Sequence, residues 1–185
     1  MSKVFKAFFI SAVVIVVYVG NVLCVEVDVA SEYEVKAAFI YNFARFIEWP
    51  DICRREEKKE LVLCILGSDP FGSALDIIRN KTIGDKKLVI RMCKDIKNLD
   101  SCHILFISAL EKERVASILK FLKSSCILTI SDIEGFAQSG GIINFVIEEN
   151  KVRFEINIDA ANRAGIKISS KVLKLAKIIK ESQSP

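Results

Sequence analysis

The chain has 185 residues, with 27 basic against 23 acidic side chains and a formal charge of +4. That length suits one domain with a real core and is short for two. The near-balance of charge argues against a polyanion-binding protein, so nucleic acid is not an expected partner.

Hydrophobic residues make up 51% of the chain. Part of that excess sits at the N-terminus, where Lys3 and Lys6 precede the run AFFISAVVIVVYVGNVL. A basic start, an apolar stretch and then weakly polar residues form the layout of a secretory signal. Residues 1–24 are read as a signal peptide, cleaved somewhere between 24 and 30, and the protein is expected to be exported. The rival is an uncleaved anchor, since Ala7 to Leu23 reaches the lower edge of a membrane span. Lipidation of Cys24 would need a small residue before it, and Leu23 is not small. Removing residues 1–24 takes away two lysines and no acid, which leaves a charge of +2.

The segment YEVKAAFIYNFARFIEWP predicts a helix over residues 33–49 that Pro50 stops. At 100° per residue, Val35, Ala37, Phe39, Ile40, Phe43, Ala44, Phe46 and Ile47 fill an arc of roughly 200°, about twice what one core contact uses. Lys36 is stranded inside that arc. Something must cover the second apolar side. Phe39, Phe43, Phe46 and Trp49 are the candidate partner-binding residues.

After a charged connector, DICRREEKKE, the run LVLCILG has strand length and ends at Gly67. SDPFGSALDIIRN predicts a helix with Asp69 as cap and Pro70 in its first turn, turning Phe71, Leu75 and Ile78 inward. KKLVIRM, CHILFIS and CILTIS are further strands, and Ser108 with Glu111 makes the S-x-x-E pattern that opens a helix over 109–123. Alternation of strands and helices predicts a single-domain α/β sandwich over 31–181, with a mostly parallel central sheet flanked by helices. GIINFVIEENKVRFEINI reads as an antiparallel hairpin at a sheet edge, DAANRAG as a linker, and SSKVLKLAKIIKE as a closing helix capped by Ser169 or Ser170.

Six cysteines matter in an exported chain, because disulfides persist there. Cys64 lies inside the first core strand and Cys102 opens a later one, so neighbouring strands could bring them together; two inert buried thiols are the alternative. Cys53, Cys93 and Cys126 are then an odd number, so at least one thiol stays free or pairs between chains. No C-x-x-C pair occurs, and no metal is expected. The one histidine, His103, sits at a strand start and reads as structural. LGSDPFG lacks the phosphate-loop patterns and is explained by capping. No nucleophile, base and acid set appears, so no catalytic residue and no cofactor are expected. In the loop SDIEGFAQSGG, and near the last helix, Asp132, Lys167 and Ser169 are the polar groups to suspect for a small ligand, in a cleft between the hairpin and the parallel sheet. Lys171, Lys174, Lys177 and Lys180 read as a solvated helix face.

The stretches YEVKAAFIYNFARFIEWP, LCILGSDPFG, CHILFIS and GGIINFVIEENKVRFEINIDAANRAGIKISSKVLKLAK together resemble the YfiR family, over about Tyr33 to Lys180. The resemblance implies a periplasmic α/β protein that forms homodimers and is not an enzyme. It also implies that the chain represses an inner-membrane signalling enzyme, a diguanylate cyclase, by contact with its periplasmic domain, without inserting in the membrane after signal cleavage. The family's bridge between the "LC" strand and the later strand falls on Cys64 and Cys102 here. A second family cysteine pair, flanking the loop into the hairpin, has no counterpart in EGFAQSGGIINF, so redox control assigned to it does not transfer. The alternative is a small-molecule sensor or accessory protein for another membrane receptor, such as a histidine kinase.

Overall fold

A computed structural model describes residues 29–50, 59–99, 101–123 and 125–180. The signal peptide, the charged connector up to residue 58, Cys24 and Cys53 lie outside the described residues. Helix α1 (Val29–Phe46) leads into the short strand β1 (Ile47–Glu48). Strands β2 (Glu60–Leu66), β3 (Thr82–Ile83), β4 (Lys86–Cys93), β5 (Ile104–Ile107) and β6 (Leu128–Ser131) follow, then the hairpin β7 (Ile143–Glu148) and β8 (Lys151–Asn157). The chain closes with α3 (Ile158–Arg163), β9 (Lys167–Ile168), α4 (Ser170–Leu173) and β10 (Lys177–Ile179). Helix α2 (Val115–Leu122) connects β5 to β6.

Eight strands form one sheet in the order β10-β8-β7-β6-β5-β2-β4-β3, and β1 pairs with β9 separately. Only β3 with β4 and β7 with β8 are antiparallel in the large sheet. The architecture is thus the expected α/β one. Leu61 to Leu66 are buried without interruption because both faces of β2 are covered, which is why LVLCILG shows no alternation.

On one face, Leu63, Ile65, Phe106, Ile130 and Phe145 pack under α1 and the Phe71 segment. On the other, Val62, Cys64, Leu105 and Ile107 pack under Val115, Ile118 and Leu122 of α2. The apolar arc of α1 is wide because the helix packs on the sheet, on the Phe71 segment and on α4. Ala37, Ile40, Phe43, Ala44 and Ile47 enter the core, while Tyr33, Phe39, Tyr41, Phe46 and Trp49 flank it half-buried.

Five local expectations are corrected. The helix expected after Asp69 is a six-residue 3-10 segment, Gly72–Ile77, although Asp69 does accept from the Phe71 amide at 2.8 Å. Residues 109–114 are 3-10 as well, and Ser108 makes no side-chain cap; Glu111 instead pairs with Arg114 at 2.9 Å. The linker DAANRAG is helical: Asn157 Oδ1 accepts from the Ala160 amide at 2.9 Å and caps α3.

The closing helix is one turn only, capped by Ser169 Oγ on the Lys171 amide, and residues 177–179 then extend parallel to β8. Without β10 the outer edge of β8 would present unpaired backbone groups. Pairing satisfies them, and β-branched Ile178 and Ile179 suit an extended backbone. The hairpin is therefore not the sheet edge; β10 is.

Candidate functional site

Helix α1 runs from the carboxyl ends of the parallel strands to their amino ends. Along it, Val35, Phe39 and Phe46 recur at helical spacing and stay partly in solvent, as does Trp49 just past β1, with Val35 41% exposed and the rings half-buried. Phe39 stacks on Phe43 and meets Phe154 edge-on at 5.3 Å. Phe43 itself is 1% exposed, so its ring is core and offers no contact area. Arg45 and Lys171 lie over the Phe46 ring, both at 5.5 Å. Trp49 approaches His103 edge-on at 6.3 Å, and its indole nitrogen is buried with no hydrogen-bond partner. His103 Nδ1 accepts from the Val62 amide at 3.1 Å, a structural role at the start of β5.

At the other end of α1 sits a buried charge cluster. Lys36 is 3% exposed, and its ammonium lies 2.6 Å from Glu32 Oε1 and 2.6 Å from Asp132 Oδ2. Tyr33 donates to the same Asp132 oxygen at 2.9 Å, and Lys36 also rests 4.2 Å from the centre of the Tyr33 ring. Burial, with the Asp132 carboxylate beside it, pushes the Tyr33 phenol far above its ordinary value. The lysine that looked misplaced in the apolar arc is thus the paired centre of this cluster.

The cluster forms one wall of a cleft of about 660 Å³ at the carboxyl ends of β5 and β6, where crevices of open α/β sheets commonly take ligands. Strand β6 ends at Ser131, and β7 pairs with it only at Ile143 and Asn144. Its floor is a polar row set by sheet register: Asn144 opposite Glu155, and Glu155 opposite Lys177. Gln138 donates to Glu155 at 3.1 Å, and Lys177 approaches the other Glu155 oxygen at 3.1 Å. Asn144 is fully buried; its amide nitrogen donates to the Ser131 and Phe145 carbonyls, while its Oδ1 has no partner.

Lys167 and Ser169 do not line this cleft. Lys167 stands opposite Glu48 just past the far end of α1, and Ser169 caps α4. At 1.5 Å per residue, the helix from Lys36 to Phe46, whose carbonyl accepts from the Ser169 amide, puts them roughly 15 Å from Lys36 along the helix direction. Of the three suspected ligand residues, only Asp132 belongs to the cleft. Sequence reading missed Asn144, Glu155 and Lys177, because polar residues on alternating strands resemble an ordinary solvated face. The signal that pointed here was Lys36 itself.

Cys64 and Cys102 form the expected disulfide, with their Cα atoms 5.9 Å apart. Cys93 is the free cysteine among the described residues, and Cys126 is itself disulfide-bonded. The three sulfurs of Cys64, Cys93 and Cys102 lie within 4.8 Å of one another. With two of them joined as a disulfide, they offer one thiol and not a set of thiolate ligands. Burial pushes the Cys93 thiol up, against a smaller opposing pull from Arg91.

A family model described as DUF4154, YfiR/HmsC-like, matches residues 33–177. Among solved structures, a conserved domain protein from Vibrio cholerae superimposes with a TM-score of 0.51 at 11% identity, over 80% of this chain and 60% of that one. This chain thus spans well under two thirds of that relative, and the likeness speaks for the fold alone. A Streptococcus pneumonia structure, titled as an ABC domain in complex with L-Trp, aligns at a TM-score of 0.47 and 12% identity, over 64% of this chain and 55% of that one.

Proposed function

The chain belongs to the YfiR/HmsC-like family, and on that premise we propose that it is an exported regulator acting by protein contact on a membrane signalling enzyme. Membership supports a periplasmic regulatory role in cyclic-di-GMP signalling in general. The finer reading is repression of an inner-membrane diguanylate cyclase through its periplasmic domain, with the regulator working as a homodimer.

The observation that carries the contact is the ridge of Val35, Phe39 and Phe46 with Trp49 just beyond, apolar surface kept partly in water along a helix whose other side is core. Aromatic side chains half-exposed on a rigid element supply contact area at low entropic cost. Among the described residues no helix is long and apolar enough to cross a membrane.

The test is genetic and biochemical. Cells lacking the chain are expected to hold more cyclic-di-GMP, and the native chain is expected to restore the low level. A Val35→Glu/Phe39→Glu variant, with unchanged circular dichroism, is expected to fail to restore it. Cyclic-di-GMP unaffected by loss of the chain overturns the reading. Sedimentation of the mature protein checks the homodimer, and a monomer at working concentration removes that part.

A further inference from the structure

We propose that the cleft beside Lys36 and Asp132 is a binding site for a small alkylammonium ligand. Its charge is the first reason. Five carboxylates line it, those of Glu32, Asp132, Glu134, Glu148 and Glu155, against only two ammonium groups, Lys36 and Lys177. Both lysines are already engaged: Lys36 is shared by Glu32 and Asp132, while Lys177 lies 3.1 Å from Glu155 and 4.0 Å from Glu148. Three negative charges remain in excess around a concave space, with Glu134 and Glu148 on its exposed rim, which focuses a field that draws cations and repels anions.

The second reason is independent of charge. Asn144 is 0% exposed and lines the cleft, and its Oδ1 accepts nothing although both its amide donations are used. Gln138, also in the lining, likewise has its nitrogen committed to Glu155 and its Oε1 without a partner. Two unpartnered acceptors in one cleft call for a ligand that brings donors. An ammonium group carries three and no acceptor, so it fits both the orphan oxygens and the excess charge.

Size and surroundings agree. About 660 Å³ is within the range of small-molecule sites, and Val146 and Ile147 give apolar surface for a methylene stem. Register fixes the floor: Asn144 and Glu155 are cross-strand neighbours of the β7–β8 hairpin, so the acceptor and a carboxylate hold their spacing without help from loops.

Putrescine is the probe, with 1,4-butanediol as its uncharged counterpart, each titrated into the mature protein and followed by amide chemical shifts. Putrescine is expected to saturate, to shift residues of the cleft, and to bind at least tenfold more tightly than the diol. Asn144→Leu is expected to weaken it at least tenfold. Because that variant also loses two buried hydrogen bonds, Glu134→Gln/Glu148→Gln, which changes exposed side chains, serves as a second; it is expected to weaken binding at least threefold and to flatten its salt dependence. Shifts that do not saturate, equal binding of the diol, or affinity indifferent to the double variant each overturn the proposal. The titration uses isolated protein and reads no cyclic-di-GMP, so its outcome is separate from that of the regulatory reading.

Discussion

Lys36 and Asp132 stand 96 residues apart in the chain and 2.6 Å apart in the fold. Their contact pins the start of α1 to the end of β6, and it brings Tyr33 and Glu32 into the same cluster. Breaking one side of a buried pair leaves the other charge uncompensated, which typically costs more than the pair itself contributes.

Lys36→Met is therefore expected to lower stability by about 3 kcal/mol, read as a fall in the urea midpoint at unchanged slope. Adding Asp132→Asn should return a large part of that loss, because the orphaned carboxylate is then neutral. Two single losses that simply add in the double variant would show the pair to be uncoupled.

The Tyr33 phenol, held protonated by burial and by Asp132, gives a pH dependence whose sign follows from linkage. An unfolded tyrosine ionises near 10.0, whereas the folded one keeps its proton well beyond that. Its contribution is fully present below pH 10 and is lost as pH rises above it, since only the unfolded state then releases a proton. Cys93, raised from 9.0, acts with the same sign and starts earlier. Tyr33→Phe is expected to lose stability less steeply between pH 10 and 11 than the native chain, by chemical denaturation. Parallel curves would refute the assignment.

The Cys64–Cys102 bridge closes a 38-residue separation, which corresponds to about 4 kcal/mol from restriction of the unfolded chain. Cys64→Ala/Cys102→Ala should fall short of the oxidised native protein by about that amount. In Cys102→Ala, refolded in glutathione buffer, Cys93 is near enough to Cys64 to take over the bridge. Peptide mapping is expected to find Cys64 joined to Cys93. Both thiols alkylated would mean that the β2–β4 register holds them apart.

Gly141 has no room for a side chain, since a Cβ there would overlap the ring of Phe136, which is 1% exposed. Gly141→Ala is expected to cost about 1–3 kcal/mol through overpacking. Pairing it with Phe136→Leu should relieve part of the strain, as a smaller combined loss in thermal midpoint. A Gly141→Ala protein of native stability would show that this loop shifts freely.

Much of the fold was legible because its strands are strongly patterned. Uninterrupted apolar runs such as LVLCIL and ILFI must be buried on both faces, and that demand implies helices on each side of a parallel sheet. The width of the apolar arc on α1 also carried through, since part of it is core and part remains a half-exposed ridge. The Cys64 and Cys102 pairing was reachable from their places on two strands and from the family resemblance, and β2 does lie beside β5.

What the chain settles alone is which segments must leave water, because that depends on the spacing of apolar side chains along a few consecutive residues. Tertiary structure decided the rest. KIIK reads as part of the closing helix, and the open backbone edge of β8 made it a strand instead. Likewise, Lys36, Asp132, Asn144, Glu155 and Lys177 become one cleft only after strand order and register have been set. Charge and hydrogen-bond partnerships act through space, over 96 and 99 residues for the contacts of Lys36 and Tyr33 with Asp132, so no local pattern can encode them.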